Sequence, residues 1–273
     1  MHNSGRPQVV AHRGSSQVNA EHTLGAYLAA LDEGAEGLEC DVRLTADGHL
    51  VCVHDRRVDR TANGRGLVST MDLAQLDELD FATWKNPWSD LDDEAPEIDV
   101  EARKVLTLRR LVEAALDYDR PVDLAIETKH PTRYSGLVER RLVDLLASYG
   151  LTGPRSRARV MSFSYTALNR VKKLAPDLDV VMLVDRMYAW DLTRRLTGED
   201  WIAGPGIELL RKNPRLRRAL RRGDRPVHVW TVNSPEDLEL CLEVGVEAVI
   251  TDVPGRTLHL LEGSAGGSEK GRV

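Results

Sequence analysis

Apolar residues recur along this chain in two rhythms. Short β-branched runs at 9–12, 37–42, 122–129, 159–164, 180–184, 202–207, 227–232 and 248–252 read as strands. Amphipathic stretches such as 24–31, 108–116, 137–146 and 238–242 read as helices between them. Strand and helix alternating from end to end is the pattern of a parallel sheet, and eight strands is the number that closes a (β/α)8 barrel of TIM type. Ser234 and Pro235 open one helix with a capping hydroxyl and a first-turn proline, and Gly34 and Gly245 end two others.

One apolar run breaks the alternation. Residues 50–53 follow the second strand after only Ala46-Asp47-Gly48-His49, too short for a parallel crossover. Asp47-Gly48 is a hairpin signal, so residues 42–53 are expected to rise above the barrel and return His54 to the same mouth. A long segment, 56–104, follows with turn residues, a short helical pattern at 71–79 and an acidic stretch at 90–94. Loops of this length in a compact domain are functional or form small subdomains. The expected organisation is a barrel over 7–262, an insertion at 56–104 over the active mouth, and a flexible Gly/Ser-rich tail at 263–273.

The strand ends carry charge. His12-Arg13-Gly14 closes the first strand, Glu39 and Asp41 stand two apart on the second, His54-Asp55 ends the hairpin, and Glu127 and Lys129 stand two apart on the third. Residues two apart on a strand share a face, and charged side chains are rarely buried unless paired or bound to a metal. Glu39, Asp41 and Glu127 therefore read as a metal site, with a buried ion-pair network involving Arg13, Arg43 and Lys129 as the alternative. An all-oxygen donor set favours Mg²⁺ or Ca²⁺ over Zn²⁺. His12 and His54 are the natural acid and base, titrating nearest neutral pH. Arg13 and Lys129 suit phosphate oxygens, one as a planar fork and the other as a point charge. Trp230 reads equally as a ring laid against substrate or as barrel filling. The basic run 211–225 has only the narrow apolar stripe of Leu216 and Leu220, so it reads as a solvated helix face.

Composition narrows the partners. A net charge of −6 argues against nucleic acid, which calls for a basic footprint, and means that an anionic substrate needs a local cation. Cys40, Cys52 and Cys241 all sit in apolar segments and read as buried free thiols. Residues 1–8 contain no apolar leader core, and no run approaches the roughly 20 apolar residues of a membrane span, so a cytoplasmic protein without integral membrane association is expected.

The ordered segments AHRGSSQVNAEHT, GLECDVRLTADGHLVCVHD, AIETK, MSFS, VHVWTVN and AVITDVPG resemble the glycerophosphodiester phosphodiesterase family, and DRTANGRGLV resembles the start of that family's insertion. The resemblance implies metal-dependent hydrolysis of a small glycerophosphodiester to glycerol 3-phosphate and an alcohol, with Mg²⁺ or Ca²⁺ held by Glu39, Asp41 and Glu127. It implies His12 and His54 as acid and base, Arg13 and Lys129 on the phosphate, and a neighbouring glycerol hydroxyl as first nucleophile through a cyclic phosphate. The family's usual Pro-Glu-Asn-Thr is here Ala20-Glu21-His22-Thr23; Glu21 survives as a supporting residue, while His22 changes the loop. Hydrolysis of lysophospholipids uses the same head-group chemistry and is an alternative, as is a silent barrel that only binds a glycerophosphodiester. A metal-free phospholipase C is disfavoured by the three carboxylates, and a glycosidase leaves both histidines without a role.

Overall fold

Strands form where β-branched runs can be buried on both faces, and in the computed structural model, which describes residues 6–86, 100–198 and 200–266, nine of them join one sheet. In chain order the first elements are β1 (Gln8–His12), α1 (Leu24–Asp32), β2 (Gly37–Leu44), β3 (Leu50–Cys52), α2 (Leu73–Asp77), α3 (Val100–Arg103) and α4 (Leu108–Asp117). Next come β4 (Asp123–Thr128), α5 (Leu137–Ser148), β5 (Ala158–Ser162), α6 (Tyr165–Leu174), β6 (Asp179–Val184), α7 (Met187–Leu196) and β7 (Ile202–Pro205). The last are α8 (Ile207–Lys212), α9 (Pro214–Arg222), β8 (His228–Val229), α10 (Pro235–Val244), β9 (Ala248–Thr251) and α11 (Pro254–Gly266).

The parallel order is β7-β6-β5-β4-β2-β1-β9-β8, and single parallel bridges Ala203–Val227 and Gly206–Trp230 bring β8 back to β7. The result is the expected (β/α)8 barrel. On β2 the outward residues Leu38, Cys40, Val42 and Leu44 join the core between strands and helices. The barrel interior is filled lower down by Val10, Ala125, Met161, Val181, Leu183, Ile202, Ala248 and Ile250. Towards the carboxyl ends of β1, β2 and β4 the inner face turns charged, and the register sets His12 opposite Glu39 and Asp41 opposite Glu127. All three cysteines are buried and free.

The hairpin forms as expected. β3 runs antiparallel to β2 with Val42 opposite Cys52, Gly48 takes a φ of 88° in the turn, and the Val53 amide donates to the Asp41 carbonyl at 3.0 Å. The following segment has its own apolar cluster, in which Val58, Val68, Leu76 and Phe81 pack on Val51, Val53 and Val105. The acidic stretch at 90–94 lies outside the described residues.

Boundaries differ from the expected ones where a capping group takes over. β5 stops at Ser162 because the Ser164 hydroxyl caps α6, accepting from the Ala167 amide at 3.3 Å. β7 stops at Pro205 because Ile207 already begins α8. β8 is only two residues long; beyond Val229 the chain bridges β7 at Trp230 and returns to β9 where the Val232 amide donates to the Ile250 carbonyl at 2.8 Å. The last helix continues to Gly266, past the expected tail start at Gly263. Ser234 and Gly245 cap α10 as the sequence implied, the glycine with a φ of 78°. The basic run forms α8 and α9 with Leu216 and Leu220 buried and the exposed arginines facing water. No helix among the described residues is long and apolar enough to cross a membrane.

Gly14 sets the turn that leads from β1 into the site. Its φ is 92°, and a Cβ there would lie 2.6–2.7 Å from backbone and Cβ atoms of Ala26 on α1. Gly14→Ala is expected to destabilise the protein by about 3 kcal/mol, combining left-handed strain with a backbone clash. Gly245→Ala, equally left-handed but facing open space, is expected to cost only about 1 kcal/mol. Urea denaturation of the two variants checks the difference.

Candidate active site

Strand alternation alone delivers Glu39 and Asp41 from β2 and Glu127 from β4 to one place. One ligand oxygen of each lies within 4.8 Å of the others, and the residues are 1%, 0% and 7% exposed. Asp41 is the hub. Lys129 Nζ lies 2.9 Å from its Oδ1, and Arg13 Nε and His22 Nε2 each lie 2.9 Å from its Oδ2. Lys129 also reaches Glu127 Oε1 at 2.7 Å. The Arg13 amide donates to Glu39 Oε2 at 3.1 Å.

These contacts divide the charge unevenly. Burial pushes the Asp41 carboxyl up, but Lys129, His22 and Arg13 together hold it well below the usual carboxylate range. Glu39 is pushed well above that range by burial and by Asp41, against the pull of Arg13. Glu127 is raised to about 7 by burial and Asp41, with Lys129 opposing. Three carboxylates facing two cations therefore leave a deficit of positive charge. Asp41 Oδ1 is fully buried and meets Lys129 as an ion pair without hydrogen-bond geometry, so it keeps capacity for another cationic partner. An all-oxygen, under-neutralised trio of this kind fits a hard divalent cation.

Both sequence-selected histidines are held at Nδ1. His12 Nδ1 lies 2.6 Å from Asp252 Oδ1, and His54 Nδ1 lies 2.7 Å from Asp55 Oδ1. Asp252 is itself fixed by Ser16 at 2.9 Å and Asn233 at 2.6 Å. His12 Nε2 points to the trio, 4.0 Å from Glu39 Oε2, and among the described residues neither Nε2 makes a hydrogen bond. An imidazole whose Nδ1 is held by a carboxylate keeps Nε2 available for proton transfer. Burial draws His54 below its ordinary value, with Asp41 opposing and Lys129 and Arg13 assisting.

The insertion reaches the same place through Arg60. Its guanidinium donates to both oxygens of Glu21 at 2.7 Å and to Asp55 Oδ2 at 2.6 Å, while Glu21 also accepts from Arg13 at 3.1 Å. Lys85 donates to the Ser16 carbonyl at 2.7 Å, a second tie between the insertion and the β1–α1 loop. Trp230 stands somewhat apart. Its Nε1 donates to the Gly204 carbonyl at 2.8 Å, its ring packs on the barrel-filling cluster, and Phe163 meets it edge-on at 5.4 Å.

The sequence reading named every member of the carboxylate–histidine group but missed its supports. In the sequence Asp252 is only the last residue of an expected strand, and Asp55 and Arg60 lie within motifs without a task of their own. His22 was read as a disturbance of the loop. In the structure it takes a φ of 62° and bridges Asp41 and the Tyr27 hydroxyl, the latter at 2.8 Å from Nδ1. The left-handed conformation favours Asn and His among side-chain-bearing residues, which is a signal the sequence did carry.

Two outcomes follow for these supports. His22→Asn retains a left-handed-tolerant residue with a polar tip and is expected to cost about 1 kcal/mol, whereas His22→Leu strains the backbone and removes a donor from buried Asp41, costing about 3 kcal/mol. Chemical denaturation of both separates them; equal losses would contradict the assignment. Burial raises Glu21, but Arg60 and Arg13 outweigh it and bring it to about 2. A carboxylate depressed in the folded state contributes stability above its unfolded value near 4.5 that is lost as pH falls toward 2. Wild type is therefore expected to exceed Glu21→Gln by on the order of 3 kcal/mol at pH 7, with the gap closing in acid. A gap that stays constant between pH 7 and pH 3 would refute this.

Comparison with known proteins is consistent over nearly the whole chain. Residues 12–256 match the sequence profile of the Glycerophosphoryl diester phosphodiesterase family. A Mycobacterium tuberculosis protein named "Probable glycerophosphodiester phosphodiesterase 1" is 46% identical over 273 residues, covering 98% of this chain and 97% of its own. A Bacillus subtilis glycerophosphodiester phosphodiesterase is 32% identical over 250 residues, covering 90% of this chain and 83% of its own. Among solved structures, an Oleispira antarctica phosphodiesterase in complex with the product sn-glycerol-3-phosphate superposes with a TM-score of 0.76 at 25% identity, covering 95% of this chain and 98% of that one.

Proposed function

The chain belongs to the glycerophosphoryl diester phosphodiesterase family, a family of phosphoric diester hydrolases, and from that premise we propose that it hydrolyses glycerophosphodiesters to sn-glycerol 3-phosphate and an alcohol with His12 and His54 exchanging the protons. The observation that carries this reading is the pair of imidazoles beside the carboxylate trio, each tethered at Nδ1 by an aspartate.

Glu39, Asp41 and Glu127 would hold one divalent cation, Mg²⁺ or Ca²⁺. When bound, it supplies charge stabilisation to phosphate oxygens and makes up the missing positive charge of the site. Arg13 and Lys129 bind the non-bridging oxygens: each keeps a donor unengaged among the described residues, the Arg13 Nη2 and the third ammonium hydrogen of Lys129. His54, drawn down by burial and so neutral near pH 7, takes the proton of the attacking hydroxyl. That hydroxyl is the neighbouring one of the glycerol, and the phosphorus–alcohol bond breaks as the cyclic phosphate forms. His12 gives its proton to the departing alcohol oxygen. Water then opens the cyclic phosphate, losing its proton to His12 while His54 returns one to the glycerol oxygen. The sum is one diester and one water converted to glycerol 3-phosphate and alcohol, with both imidazoles restored.

The edge-to-face pair of exposed Phe163 and half-buried Trp230 supports a second reading, in which the diester carries an acyl chain as a lysophospholipid. Release of glycerol 3-phosphate from glycerophosphocholine, measured with and without chelator, tests the first reading. His12→Ala and His54→Ala are each expected to lower kcat by on the order of 100-fold or more, and excess chelator to abolish turnover. Turnover unchanged by chelator removes the metal from the reading; a lysolipid turned over faster than glycerophosphocholine favours the second.

A further inference from the structure

Arg43 continues the inner face of β2 one step beyond Asp41. Unlike Arg13 and Lys129 it makes no ion pair among the described residues; its Nε and Nη2 both donate to the His54 carbonyl, at 2.9 and 2.7 Å. Beside it lies a crevice of about 30 Å³ whose polar lining is Arg43, Arg56, Lys129, Arg133, Ser69 and Thr132, with no carboxylate among its lining residues. Arg56 and Arg133 are exposed and likewise carry no ion pair among the described residues. Lys129 stands at the boundary, facing the carboxylate trio and the crevice at once.

Arg43, Arg56 and Arg133 converge on one concavity beside the already paired Lys129, and like charges so placed repel each other unless an anion is brought between them. Surface arginines that only keep a protein soluble are interspersed with acidic partners, whereas no carboxylate lines this crevice, in a chain of net charge −6. The walls are also pre-positioned. Tyr134 of the β4–α5 loop donates to the Ser69 carbonyl at 2.6 Å, the Val68 amide donates to the Arg56 carbonyl at 3.1 Å, and the Lys129 amide donates to the Val42 carbonyl at 3.4 Å. The crevice is small, with about 30 Å³ of space, room for a few water-sized groups.

We propose that this crevice is a subsite for a second anionic group, a phosphate monoester carried by the alcohol that leaves, bound by Arg56 and Arg133 beside Lys129. The inference rests on the hydrolase reading above and adds a substrate class to it: diesters whose head group ends in phosphate are preferred over neutral ones. Arg56 and Arg133 touch neither the carboxylate trio nor the two histidines, so they bear on head-group choice alone.

The test compares glycerophosphoglycerol with the same diester phosphorylated on its terminal hydroxyl, using wild type and the Arg56→Ala/Arg133→Ala double variant. Wild type is expected to show kcat/KM about tenfold higher for the phosphorylated diester, as one charge-assisted contact implies. The difference should lie in KM and shrink as salt is raised. In the double variant the preference disappears while turnover of the neutral diester is unchanged. Equal kcat/KM for the two diesters in wild type overturns the inference alone, as does a preference that survives both substitutions. Failure of wild type to turn over even the neutral diester overturns the hydrolase reading, and the inference with it.

Discussion

Three buried carboxylates on neighbouring strand ends impose the constraint around which this molecule is arranged. Asp41 can stay ionised at zero exposure only because Lys129, Arg13 and His22 converge on it. Glu39 and Glu127 share too little of that compensation, and their affinity for protons rises accordingly. Such an imbalance is destabilising as folding chemistry, yet it leaves a site under-neutralised in the way a hard cation and an anionic substrate together would balance. The barrel supplies the rigidity that makes the arrangement tolerable, since each carboxylate is fixed by strand register.

The loops around the trio are held by a chain of charged contacts. Arg13 links Asp41 to Glu21, Arg60 links Glu21 to Asp55, and Asp55 holds His54. On the other side Ser16 and Asn233 fix Asp252, which holds His12. Each imidazole therefore has a separate carboxylate tether, built from a different part of the chain. Arg60 comes from the insertion, whose small apolar cluster anchors it to the hairpin. The insertion thus contributes to the orientation of His54 as well as covering ground beyond it.

His22 shows how a departure from a family pattern can preserve its physics. The position needs a left-handed backbone and a polar tip beneath Asp41, and histidine provides both, adding a contact to Tyr27. The substitution that looked disruptive in the sequence is accommodated because the neighbouring aromatic hydroxyl gives the second ring nitrogen a partner.

By itself the sequence determined the barrel, the hairpin and the clustering of charged groups at the strand ends. Alternating strand and helix patterns set the topology, Asp47-Gly48 set the turn, and spacing of two placed Glu39 with Asp41 and Glu127 with Lys129, because strand periodicity is a local property of the backbone. Tertiary structure alone decided what holds those groups in place. The pairings of His12 with Asp252, Asp41 with His22, and Glu21 with Arg60 join positions whose spacing follows no local period. It also decided that Arg43, a partner for the carboxylates only in the alternative ion-pair reading of the sequence, turns to the His54 carbonyl and lines a cationic crevice. The reason is common to all of them: periodicity fixes the face on which a side chain stands, whereas its partner depends on which loops the closed barrel brings to the same mouth.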